Sequence, residues 1–137
     1  MSQGAQVGAA AAAMGLELLA RGLPVTFVAR GRSMWPALRD GDRVRVTPLT
    51  RAPRAGDVVF ARVGDFGVLH RVLWVRRDGA VLLKGDARRR VDGWFSPRAV
   101  WGTVDTVERR GRSVDAGRLG GWARSVTVGA VRAALHR

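Results

Sequence analysis

The chain has 137 residues, a formal charge of +13 and no cysteine. That length suits one domain with a real core, and the missing cysteine excludes disulfide frameworks, thiolate catalysis and cysteine metal sites. An ordinary share of apolar residues argues against a disordered chain, and eighteen glycines point to short elements joined by many turns.

Residues 5–21 are rich in alanine, with Met14, Leu16, Leu18 and Leu19, and these residue types favour helix. Gly22 and Pro24 stop it, so residues 1–24 read as a helical segment that packs on the body. Val25 to Val28 is a β-rich run. Asp40-Gly41-Asp42 is a turn before the alternating Val44-Arg45-Val46, and Gly56-Asp57 leads into Val58 to Ala61. Val68 to Val75 is a long strand, closed by the hairpin signal Asp78-Gly79 and answered by Ala80 to Leu83. Val100 to Val104, with Val107, predicts a last strand. Many short strands with turns between them predict a mainly β core over residues 25–110. Residues 111–137 are expected to end the chain as a basic amphipathic helix, with Leu119, Trp122, Val126 and Ala130 at helical spacing.

Targeting signals are weak. Residues 1–8 carry no basic group, and Glu17 interrupts the apolar run from Ala9 to Ala20. No stretch reaches the roughly 18–20 apolar residues that span a bilayer. The expectation is a cytoplasmic protein with, at most, peripheral contact to anionic membrane through the tail helix. Lys84 is the only lysine, all other fixed positive charge being arginine. The arginines are scattered and no nucleic-acid reader motif is present, so a solvated basic face is expected rather than a nucleic-acid site. With two histidines and aspartates mostly in turns, no metal or other cofactor is expected.

The chemistry concentrates in Gly31-Arg32-Ser33-Met34-Trp35-Pro36, followed by Gly41-Asp42. Ser33 lies just after a strand in a glycine-flanked turn, exposed and rigidly held. Alone it would be an ordinary turn serine or helix cap; as a nucleophile it needs a base within hydrogen-bond reach. His70 lies mid-strand, whereas His136 is in the C-terminal tail, and histidine is the side chain suited to proton transfer near neutral pH. Asp86, in Lys84-Gly85-Asp86, and Asp92 are the carboxylates that could orient the imidazole. Lys84 is the rival base, since a desolvated lysine can take a proton.

Taken in order, Ser33-Met34-Trp35-Pro36, Gly41-Asp42, Gly56-Asp57-Val58-Val59, His70-Arg71-Val72, Lys84-Gly85-Asp86 and Asp92 resemble the boxes of type I signal peptidases. That superfamily includes the LexA-type self-cleaving repressors. The resemblance covers about residues 25–105. Each box is short, and their order and spacing make the set specific. Bacterial members pair serine with lysine. The endoplasmic-reticulum, archaeal and sporulation-type members place histidine there, as this chain does at position 70.

The resemblance implies a partly closed, twisted β-sheet core with flanking N- and C-terminal helices. It implies a serine endopeptidase that cleaves a signal, leader or propeptide after small residues. Ser33 would be the nucleophile and His70 the base, with Asp92 favoured over Asp86 as the residue orienting it. The walls of the substrate site would come from the strand after Pro24 and the region around Phe60. The partner implied is a peptide or preprotein. Gly31 stands where some members carry a serine oxyanion donor, Arg32 stands where glycine is common, and the usual transmembrane anchor is missing.

Overall fold

The computed structural model describes residues 6–114. The tail helix expected over 111–137 lies outside the described residues from position 115 onward. Among the described residues the elements run β1 (Gln6–Val7), α1 (Ala9–Ala20), β2 (Val25–Val28), β3 (Arg43–Pro48), β4 (Val58–Val63), β5 (Phe66–Val75), β6 (Val81–Lys84), β7 (Gly93–Phe95), β8 (Val100–Arg109) and β9 (Arg112–Val114). All strands join one antiparallel sheet in the order β2-β3-β8-β4-β5-β6-β7, with β1 on β5 and β9 on β8. The sheet curls into a half-barrel, so the core is mainly β with a flanking helix.

The burial of each strand follows its place in the sheet. In β3, Arg43 and Arg45 face solvent while Val44 and Val46 are buried, the alternation of a strand with one wet face. β5 has neighbours on both sides and is buried continuously from Gly67 to Leu73. Its apolar run, which shows no alternation, reflects cover on both faces. Leu69 joins the core inside the half-barrel, whereas Val68 and Val72 join a second cluster with Val59, Val81 and Leu83.

The N-terminal segment is part of this body. Ala12, Gly15 and Leu19 are its buried face, at helical spacing. Ala12 and Leu19 pack into the cluster that holds Phe27, Phe60 and Leu69. Ahead of the helix, Val7 pairs with Gly67, a short strand that alanine-rich composition gave no reason to expect.

Phe60 is fully buried, its ring centroid 4.8 Å from that of Phe27, and its side chain belongs to the core. One expectation needs correction. Residue 111 does not begin a helix: Arg109 pairs with Arg112 across a two-residue turn. Arg110 (φ 53°) and Gly111 (φ 77°) both take the left-handed conformation that a type I′ hairpin needs. Among the described residues no helix is long and apolar enough to cross a membrane.

Candidate active site

The loop between β2 and β3 carries the serine, and buried groups pin it from below. Ala29 N–H donates to Asp42 O and Gly41 N–H to Ala29 O, both at 2.8 Å, closing the base of the loop. The Asp42 carboxylate is buried and accepts from Arg39 N at 2.8 Å. It also accepts from Arg109 Nε at 3.0 Å and Nη2 at 2.8 Å, a bidentate pair that ties the loop to β8. This carboxylate raises the Arg109 pKa above its ordinary value. Met34, Ala37 and Leu38 plug the loop into the core. The same plugging buries Ser33, which is 3 % exposed and not the exposed residue the turn suggested.

Ser33 Oγ lies 2.8 Å from His70 Nε2. The other ring nitrogen, Nδ1, is hydrogen-bonded to Asp92 Oδ2. A carboxylate at Nδ1 assigns the ring proton to that nitrogen, which leaves Nε2 to accept from the serine hydroxyl. His70 is held in the middle of β5 opposite Val59. Asp92 arrives from the far side of β6, where its N–H donates to Leu83 O at 2.7 Å just before β7 begins. Three separated segments thus meet in the order serine, imidazole, carboxylate. That is the geometry of a nucleophile, a general base and the group that orients the base.

Asp86 serves a different partner. Alternation along β5 turns Arg71 to the face opposite His70, where it lies across from Val58 and Lys84. Arg71 Nε and Nη2 donate to the two Asp86 oxygens at 2.9 and 2.7 Å, and Nη1 donates to Gly56 O at 2.9 Å. Both charged side chains are almost wholly buried. Of the two carboxylates considered for His70, therefore, Asp92 is on the ring and Asp86 is spent on Arg71. Arg71 was not singled out from sequence. A guanidinium inside an otherwise apolar strand is the signal that could have found it, because such a charge must bring a partner with it.

Three of the four Gly-Asp pairs share one design. Asp42 is tied to Arg109, Asp57 to Arg51 and Asp86 to Arg71. The Gly56-Asp57 pair also brackets β5 from the side, with Gly56 N–H donating to Val72 O and Val72 N–H to Asp57 O, each at 2.8 Å. Each pair braces the loop or strand that carries Ser33 or His70.

Lys84 is 1 % exposed and donates to Gly85 O at 3.2 Å. Burial pushes its pKa down, and the carboxylates of Asp86 and Asp92 partly oppose that shift. Next to it, Gly85 is pressed against the nucleophile loop. A Cβ there would fall 2.7 Å from Ser33 O and 3.0 Å from Ser33 Cβ. Gly85→Ala is therefore expected to push the serine off the imidazole. Since a displacement of about 1 Å can cost about 100-fold in rate, kcat/KM of any reaction that uses Ser33 as the nucleophile should fall by roughly that factor. The melting temperature should drop by only the few degrees typical of local overpacking. Unchanged kcat/KM would show that the loop yields without moving Ser33.

No family model matches the chain, and no curated protein matches it at significance. Among the described residues, no group of three or more histidine, aspartate or glutamate side chains could hold a metal ion.

Proposed function

We propose that the protein is a serine endopeptidase of the signal-peptidase type, in its serine–histidine form, acting on a leader or propeptide. One observation carries the reading: Ser33 Oγ is 2.8 Å from His70 Nε2, and Asp92 holds the opposite ring nitrogen. Ser33 attacks the scissile carbonyl while His70 takes its proton. An acyl-enzyme forms and the amine leaves with that proton. His70 then activates water, which releases the acid and restores the serine. The Ser33 backbone N–H is the donor assigned to the oxyanion. Gly31 brings no side chain, and its own N–H is engaged by Asp40 Oδ1 at 3.0 Å. The 3 % exposure of Ser33 favours small residues next to the cut, because bulky ones could not approach Oγ.

A serine–lysine reading has one observation in its favour, the lowered pKa of buried Lys84, which is what a lysine base requires. The imidazole at hydrogen-bond distance from Oγ supports the histidine form more directly.

The test is labelling by a fluorophosphonate probe, which reacts preferentially with an activated serine. A single adduct on the peptide containing Ser33, formed in competition with cleavage of leader-like peptides, is the expected result. Adducts elsewhere, or none on folded protein with membranes supplied, would overturn the reading.

A further inference from the structure

The segment that links β6 to Asp92 runs directly beside the nucleophile. Ala87 N–H donates to Ser33 O at 2.8 Å, and Arg88 N–H donates to Gly85 O at 3.0 Å. Arg88 Cγ packs on Gly85, 3.2 Å from where a Cβ would stand. Arg88, Arg89 and Arg90 follow one another here, and Arg32 adjoins Ser33 in the chain. Arg32, Arg89 and Arg90 are exposed and Arg88 is half-buried. The carboxylates nearby are already engaged, Asp86 by Arg71, Asp92 by His70 and Asp40 by Gly31 N and Arg30. Among the described residues none of these four arginines forms an ion pair, in contrast to Arg51, Arg76 and Arg109.

We propose that this basic rim selects acidic substrates: peptides carrying Asp or Glu within a few residues of the scissile bond. The inference rests on the peptidase reading and names its substrate class. A guanidinium presents a planar fork that matches a carboxylate with two hydrogen bonds. An exposed rim gains little per pair, but several like charges on the segment bonded to the Ser33 loop raise the local concentration of an anionic peptide. The preference acts on capture and is erased by salt.

The experiment compares peptides that share one cleavage site and differ only in flanking Asp/Glu, Asn/Gln or Lys. At low salt, kcat/KM for the acidic set is expected to exceed the neutral set by about tenfold. At about 0.5 M salt the two should agree within about twofold, the screening length having fallen to roughly 4 Å. The triple variant Arg88→Gln, Arg89→Gln, Arg90→Gln should lose the preference, and Arg77→Gln should keep it. Fluorescence anisotropy of the same peptides on Ser33→Ala reads the ratio without turnover. If wild type cleaves nothing, a binding preference for the acidic set supports the rim while the peptidase reading fails; equal binding overturns the rim. Equal kcat/KM for all sets at low salt overturns the substrate class and leaves the peptidase standing. So does a preference that survives in the triple variant. A triple variant that loses only its binding to vesicles of anionic lipid makes the rim a membrane contact and also overturns the proposal.

Discussion

Asp92→Asn is expected to lower kcat for peptide cleavage by about 10⁴-fold while leaving the fold intact. An amide at this position can donate to Nδ1, which stabilises the tautomer with its proton on Nε2, and that tautomer cannot accept from Ser33. The Asp92 side chain is 19 % exposed, so the change strands no deeply buried charge. Ser33→Ala and His70→Ala should each lose activity by at least as much, because in the proposed mechanism the three residues act as a unit. Ser33→Ala has a modest structural effect of its own: it removes a buried hydroxyl from His70 Nε2 and should cost about 1 kcal/mol. Lys84→Met separates the two forms of the mechanism. In the histidine form it keeps cleavage within a few-fold of wild type; in the lysine form it abolishes cleavage. Full activity in Asp92→Asn, measured as single-turnover kcat, would remove Asp92 from the reaction.

Asp86→Ala is expected to show the opposite profile, a large loss of stability first. Arg71 and Asp86 form a bidentate ion pair in which both side chains are almost fully buried. Removing one partner leaves a buried charge without compensation, which costs about 3–5 kcal/mol. For a domain of this size that is roughly 10–20 °C in melting temperature. Activity measured well below that temperature should fall far less than in Asp92→Asn. Replacing both partners with apolar residues of similar volume should recover much of the loss, since the stranded charge is then gone. A melting temperature within about 2 °C of wild type, together with lost cleavage, would show that Asp86 acts in the reaction after all.

The contrast between these aspartates shows where sequence reading stops. Both follow Lys84, two and eight residues on, both are acidic, and by sequence either could have reached His70. The choice depends on strand alternation. His70 and Arg71 are neighbours in the chain but point to opposite faces of β5. Asp86 follows the tight turn at Gly85 onto the Arg71 face. Asp92 stands at the entry to β7, held by Leu83 O, and meets the imidazole.

Residue order alone determined a good deal. Hydrophobic runs punctuated by Gly and Asp marked β2 through β6 to within two residues at either end and found the start of β8, because local propensity and turn chemistry agree there. Ser33 and His70 were singled out because a glycine-flanked serine and a lone mid-strand histidine are unusual where they stand. Only the tertiary structure decided the rest. Val7 as a strand and the core position of Phe60 depend on neighbours distant in the chain. So does the burial of Ser33: its turn has the local features of a surface loop, but Met34, Ala37 and Leu38 draw it into the core and Arg109 clamps it from β8. Long-range packing and charge pairing set these features, and neither is encoded in the few residues on either side.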